Sequence, residues 1–288
     1  MTEENEYKIV ASNVGRIFYT KRFGQGQRQF TALENLNLNV RTGEFVSIVG
    51  PSGCGKSTFL DILAGLSKPS SGEIFIDGHK ISGPALDRGI VLQGYALFPW
   101  RTVRQNIEYG LEIKKIKKAE RHSISDHFID LVDLKGFENS YPHELSGGMR
   151  QRVAIARALA YDPEVLLMDE PFAAVDAQTR ETLQDELLSI WEKTKKTIVF
   201  ITHSIEEAVF LADRVAVMTA SPGTIKAIVP IALPRPRRVK ETRNSIDFNR
   251  ITGEVWNLLQ NIPIPEKANP VSQETVYTNV VESDSAGL

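Results

Sequence analysis

Phe45-Val46-Ser47-Ile48-Val49-Gly50-Pro51-Ser52-Gly53-Cys54-Gly55-Lys56-Ser57-Thr58-Phe59-Leu60-Asp61-Ile62-Leu63-Ala64 runs from a short apolar, β-branched stretch through a glycine-rich turn into good helix formers. The first five residues predict a buried strand, and Thr58 to Ala64 predicts a helix. Between them lies the spacing G-x-x-x-x-G-K-[ST], in the strand–turn–helix context that makes it a phosphate-binding loop. Glycines let successive backbone N–H groups turn inward on phosphate oxygens, and the helix N-terminus adds its partial positive charge. Lys56 is expected to reach the outer phosphates and the Ser57 hydroxyl to ligate magnesium. Gly50, Pro51, Ser52, Gly53, Cys54, Gly55, Lys56, Ser57 and Thr58 are thus candidate contacts of a nucleoside triphosphate.

Composition sets the frame for that loop. The 288 residues, 42% apolar and 24% charged, have the make-up of an ordinary globular chain. Lys and Arg total 34 against 36 Asp and Glu, a formal charge of −2, so no global basic field points to nucleic acid. Cys54 is the only cysteine, which excludes an internal disulfide and fits a reducing compartment. The first ten residues are acidic and polar without a signal-peptide core, and no stretch approaches the ~20 apolar residues of a membrane helix. Any membrane role is expected to come through a partner.

Upstream of the loop, Lys8–Ala11, Ile17–Tyr19 and Leu36–Val40 read as short strands. Alternation in the last predicts a half-exposed antiparallel strand, and Lys21–Gln29 reads as a basic loop. Downstream, Glu73–Gly78 and Gly89–Gln93 read as strands. Residues 100–160 read as helical, with Val103, Ile107 and Leu111 on one face. The basic run Lys114, Lys115, Lys117, Lys118 and Arg121 reads as a solvated helix face. Val165–Met168, Thr197–Thr202 and Arg214–Met218 alternate with helical segments, which predicts a parallel sheet with helical crossovers. Leu233-Pro234-Arg235-Pro236-Arg237 reads as an extended connector to a one-sided helix carrying Phe248, Ile251, Val255, Leu258 and Leu259. The proline-bearing, polar residues 261–288 predict a tail without fixed structure.

Two further stretches carry chemistry. Val165-Leu166-Leu167-Met168-Asp169-Glu170 ends a buried strand in two carboxylates, at the end where open α/β sheets bind ligands. Asp169 is placed to hold magnesium, and Glu170 to polarise an attacking water. Leu145-Ser146-Gly147-Gly148-Met149-Arg150-Gln151 opens a helix with a good N-cap and two glycines, a second anion site of the same physical kind. Two anion sites with one acid pair do not suit a simple nucleotide kinase.

Taken in order, these motifs resemble those of the ATP-binding subunit of an ATP-binding-cassette (ABC) transporter. Gly50–Thr58 corresponds to Walker A, Leu145–Gln151 to the signature, Val165–Glu170 to Walker B and His203 to the switch histidine. The resemblance spans about residues 7–240 and implies an α/β P-loop cassette. That fold has a RecA-like core, an antiparallel β subdomain and an α-helical subdomain inserted at about 96–160. A C-terminal helix over 241–260 and the tail follow it. It further implies that Gln93 contacts magnesium or water, that Phe18 (or adjacent Tyr19) stacks on adenine, and that Asp176 closes a D-loop at Ala173-Ala174-Val175-Asp176. His203 would contact the γ-phosphate. The metal set is then Ser57, Gln93 and Asp169, the catalytic set Glu170, His203 and Gln93, and the cofactors are ATP and Mg2+. Implied partners are a second ATPase subunit paired head to tail, so that Ser146, Gly147 and Gly148 of one cover nucleotide on the other, and separate transmembrane permease subunits. A substrate-binding protein would act indirectly, with no nucleic acid involved, and the chain would sit peripherally on the cytoplasmic face of the membrane.

Phe98–Val103, Glu170-Pro171-Phe172, Ala220–Gly223 and Leu233–Arg237 resemble the nitrate/sulfonate/taurine importer group. A non-transport ABC ATPase is the alternative class, but Walker A and B are not separated by sustained heptads as in DNA-repair members. Ribosome-acting members usually carry two cassettes per chain. A non-hydrolysing regulatory module fits poorly with Glu170 and His203 both present.

Overall fold

The computed structural model describes residues 7–22 and 25–260, with the side chains of 20–28 left aside. The expected tail at 261–288 lies outside the described residues. Five parallel strands, β3 (Phe45–Val49), β6 (Arg88–Val91), β7 (Val165–Asp169), β8 (Thr197–Ile201) and β9 (Arg214–Met218), stand in the order β9-β3-β8-β7-β6. Edge strand β10 (Ile225–Pro230) pairs antiparallel with β9. Every residue of β3 and β8 is buried, as a sheet covered on both faces requires.

Alternate residues of those strands feed two cores. Val46, Ile48, Leu167, Val199 and Ile201 face α1 (Lys56–Leu63), whose Phe59, Leu60 and Leu63 also meet a second, antiparallel sheet. That sheet is ordered β2-β1-β4-β5, from β1 (Tyr7–Arg22), β2 (Gln25–Arg41), β4 (Ser71–Ile76) and β5 (His79–Lys80). Helix α1 is therefore clasped between two sheets. Phe45, Val49, Leu166, Met168, Ile198 and Phe200 face the other way, onto helices. These are α4 (Gly147–Ala160), α5 (Ala177–Thr194), α6 (Ile205–Leu211) and α8 (Ile246–Gln260). Helices α2 (Val103–Ile113), α3 (Lys118–Leu131) and α4 fall between β6 and β7 in the chain. Val103, Ile107 and Leu111 are buried as their spacing predicts.

Three expectations change. The separate short strands and basic loop of the first forty residues are one long hairpin, with Arg22 opposite Gln25. Register shifts between Tyr7 and Ile9, Ala11 and Val14, and Thr20 and Arg22 break the alternation that marks a strand. Leu36, Leu38 and Val40 do alternate, buried against exposed Asn37 and Asn39. The basic run is solvated but straddles the α2–α3 turn, with Lys115 left-handed at φ 58°.

The connector at 233–237 is docked. Arg237 is 2% exposed and donates to the carbonyls of Phe210 (2.9 Å) and Ala212 (2.8 Å) at the end of α6, and to that of Leu233 (3.2 Å). A guanidinium suits these unpaired C-terminal carbonyls. Beyond it come α7 (Val239–Arg243) and α8, whose Phe248, Ile251 and Val255 are buried.

Gly223, in the turn between β9 and β10, backs the glycine-rich loop. Its N–H donates to Ala32 O at 2.9 Å, its carbonyl accepts from Glu34 N at 3.1 Å, and a Cβ there would lie 1.9 Å from Cys54 O. Gly223→Ala must push Cys54 and the loop outward. Its expected cost is about 1–3 kcal/mol of stability, the usual range for overpacking, with weakened nucleotide binding. Thermal melting with and without ATP checks this; parent-like melting and affinity would contradict the contact.

Candidate nucleotide and hydrolysis site

The loop after β3 turns on Gly53 (φ 76°) and Gly55 (φ 99°), left-handed conformations that Cβ-bearing residues rarely take. Gly55 has no room for a side chain either, since a Cβ would stand 2.6 Å from Leu33 Cδ2. It is the N-cap of α1 and offers no side-chain cap, so the first N–H groups of the helix are free for an outside acceptor. Lys56 is buried, its Nζ donating to Gly50 O (2.9 Å) and Pro51 O (3.1 Å). The Cys54 thiol lies 3.9 Å from that ammonium, and burial pushes its pKa up.

The C-terminal ends of β3, β7 and β8 are laced together at this rim. Glu170 N donates to Ile201 O (2.9 Å), and Thr202 N donates to Ile48 O (3.3 Å). Glu170 stands at φ 43°, a left-handed turn that takes it out of the strand. Its Oε2 lies 3.2 Å from Nδ1 of His203. The His203 ring is mostly exposed and the Glu170 carboxylate mostly covered.

Asp169 ends β7 beside Ser57. Burial pushes its carboxyl above the ordinary range, opposed first by a hydrogen bond to the Ser57 side chain. Its Oδ1 is buried without a hydrogen-bond partner. A hydroxyl and an incompletely satisfied carboxylate side by side suit magnesium, which takes few protein oxygens and fills its shell with phosphate and water. Gln93 is exposed in the turn beyond β6.

Ser146, Gly147 and Gly148 do not join this rim. Ser146 caps α4, its Oγ accepting from Met149 N at 3.2 Å. A Cβ on Gly147 would meet Tyr95 Oη and Ala174 O, and one on Gly148 would meet Thr179 Cγ2, none of them in the phosphate loop. Asp176 caps α5, accepting from Thr179 N at 3.0 Å, and these bonds to Thr179 hold its carboxyl below the usual range. Phe18 is exposed on β1 opposite Phe30, with the Arg16 guanidinium 4.8 Å from its ring; Tyr19 is more exposed still.

Sequence reading missed Tyr95 and Arg157. Tyr95 (φ 70°) and Ala96 (φ 46°) are consecutive left-handed residues without being glycine. Arg157 of α4 holds both, donating to Tyr95 O (3.0 Å) and Ala96 O (2.7 Å). The Tyr95 hydroxyl reaches Ala174 O at 3.4 Å, so the turn that carries Gln93 touches both α4 and the loop before α5. Nothing in residue spacing marks this; only Gly94 hints at a turn.

The sequence model of the ABC transporter family matches residues 33–173. An uncharacterized ABC transporter ATP-binding protein of Methanocaldococcus jannaschii is 55% identical over 84% of this chain and 89% of its own length. The nitrate import ATP-binding protein of Synechocystis is 46% identical over 86% and 94%, respectively. The aliphatic sulfonates import ATP-binding protein of Bacillus licheniformis is 51% identical over 82% and 89%. Among solved structures, a dimeric bacterial ABC transporter cassette superposes with TM-score 0.68 at 35% identity, covering 78% of this chain and all of its own. A dimeric post-hydrolysis cassette bound to ADP and phosphate gives TM-score 0.67 at the same identity and coverage. With the motif order, the two-sheet fold and these likenesses in agreement, the chain belongs to the ABC transporter ATP-binding proteins and is an ATP-hydrolysing cassette.

Proposed function

We propose that this cassette powers an importer of nitrate, a sulfonate, taurine or a related small solute, working as one of two ATPase subunits beneath separate permease subunits. The solute class rests on likeness to the nitrate and sulfonate import proteins. No helix among the described residues is long and apolar enough to cross a membrane, so the membrane path is assigned to the permease. Residues 7–240 are read as the ATPase domain with helices inserted at 96–160, and 241–260 as an appended helical element. Trp100 is 70% exposed beside Phe98, which packs 4.5 Å from Tyr109, and this aromatic face of the inserted helices is the natural seat for the permease.

The observation that carries the reading is the separation of the two anion sites. Lys56, Ser57, Asp169, Glu170 and His203 gather at one rim, whereas Ser146 to Gly148 open α4 with Tyr95, Ala174 and Thr179 as neighbours. One chain then offers half of each site, and a second chain in head-to-tail arrangement supplies the rest.

In that arrangement the phosphate loop and Lys56 hold the β- and γ-phosphates, and Phe18 supports the adenine. Ser57, Asp169 and Gln93 would hold Mg2+, which would supply charge neutralisation on the phosphates. Glu170, turned out of β7, accepts hydrogen bonding from the attacking water. The water oxygen bonds to the γ-phosphorus as the bond to the β–γ bridging oxygen breaks, releasing ADP and phosphate. His203 lies against Glu170 and is placed to contact the transferred phosphate. ATP stabilises the closed pair because only there does it touch both chains.

Lys56→Ala is expected to weaken ATP binding by about 2 kcal/mol or more, since a buried, hydrogen-bonded cation is lost. Equilibrium titration with labelled ATP measures it, and unchanged affinity would contradict the loop assignment. Glu170→Gln is expected to keep ATP binding, slow turnover by about 10²–10⁴ and accumulate a nucleotide-bridged dimer. Steady-state phosphate release with size-exclusion chromatography reads both; near-normal turnover would remove Glu170 from its role.

A further inference from the structure

A chain of polar contacts crosses from the loop before α5 to the loop bearing His203. Arg180, in the first turn of α5, donates through Nη2 to Val175 O at 2.9 Å. Its Nε faces Glu207 Oε1 at 3.7 Å and has no hydrogen-bond acceptor. Glu207 on α6 is 6% exposed, and its Oε2 accepts from the Thr202 hydroxyl at 2.6 Å. That hydroxyl in turn accepts from Ser204 N at 3.0 Å. Thr202 and Ser204 flank His203, so one hydroxyl fixes the backbone on both sides of the histidine.

The joint is not tightly packed. A cavity of about 90 Å³ lies between the first turns of α5 and α6, lined by Arg180, Ser204, Glu207 and Arg243 among others. Arg243 of α7 braces its outer side, donating to Gln184 Oε1 at 2.9 Å and lying 3.7 Å from Glu206 Oε2. Burial pushes the Glu207 carboxyl up, against the Thr202 hydrogen bond and the Arg180 charge. A buried acid depends on those partners, since removing one leaves a desolvated charge. Three glutamates around the cavity oppose an anion, and the two arginines oppose a cation, so a ligand site is not its best explanation.

We propose that Arg180, Glu207 and Thr202 are positioning residues that tie the Ala173–Asp176 loop to the His203 loop, so that displacement of the first resets the second. The proposal rests on reading His203 as the residue that meets the γ-phosphate. It goes beyond that reading by naming what holds the histidine and which loop moves it. Arg243 brings the C-terminal element to the same joint.

The test measures ATP turnover, KM for ATP and melting temperature on the full chain with Mg2+, for Arg180→Ala, Thr202→Val, Thr202→Ser and the double variant Arg180→Ala/Thr202→Val. Arg180→Ala and Thr202→Val are each expected to lower kcat about tenfold to a hundredfold through misplacement of His203, with KM nearly unchanged and the melting temperature lowered by the partner taken from buried Glu207. Thr202→Ser keeps the hydroxyl and is expected to restore kcat. Because both act through one link, the double variant is expected to be no slower than the worse single variant. A kcat within twofold of the parent, multiplying losses, a rise in KM as large as the fall in kcat, or a Thr202→Ser chain as slow as Thr202→Val would overturn the link. His203→Ala separates the layers. It loses turnover if the histidine acts on ATP, whatever Arg180 and Thr202 do; full turnover there would remove the reading beneath the link together with the link.

Discussion

Two backbone hydrogen bonds hold the working end of this protein together. Glu170 N to Ile201 O and Thr202 N to Ile48 O join the ends of β7, β8 and β3 just where the strands stop pairing regularly. Each bond continues the parallel ladder by one residue, and each leaves the next side chain outside the sheet. The phosphate loop leaves β3, the acid pair leaves β7, and Thr202 and His203 leave β8. The bonds therefore set the mutual distances of three groups that come from parts of the chain up to about 150 residues apart. A buried backbone group left unpaired here would cost about 1–3 kcal/mol, so the rim has little freedom to shift piecemeal.

Around that fixed rim the rest of the fold works as a clasp. The antiparallel sheet and the central sheet both close on α1, which orients the helix N-terminus toward the loop. Gly223 presses on the same loop from behind, from the turn between β9 and β10. The Ser146–Gly148 turn, proposed as the second anion site, belongs to a different part of the fold. It opens α4, whose Arg157 grips the turn after Gln93, and its neighbours are Tyr95, Ala174 and Thr179. The phosphate loop and acid pair thus lie on the sheet rim and the Ser146–Gly148 turn on the inserted helices, the division that the proposed head-to-tail pairing needs.

Much of this was legible from residues alone, for identifiable reasons. β3, β7, β8 and β9 are short, apolar and bounded, and burial on both faces leaves no competing pattern. Asp169 and Glu170 stood out because four apolar residues precede them. The hairpin of the first forty residues was not legible as such, because bulges interrupt its period. Leu233–Arg237, with two prolines and flanking arginines, reads as an extended connector, whereas Arg237 is buried on the carbonyls at the end of α6. Tyr95, Arg157 and Arg180 act through tertiary contacts that no spacing rule encodes. Gly223 stands out in the sequence only within Ala220–Gly223, a stretch that resembles the importer group, while its contact with Cys54 depends on folding across most of the chain.

The central claim is that each chain holds half of two ATP sites. Mixing two inactive chains tests it most directly. One carries Lys56→Ala; the other carries Gly147→Asp, where a Cβ meets only ordinary contacts at 3.4 and 3.7 Å but a carboxylate would repel phosphate. Each chain alone should lack turnover, and the mixture should regain it, because a mixed pair contains one undamaged composite site. Parent-level hydrolysis by the Gly147→Asp chain alone, or a mixture that stays inactive, would contradict the account.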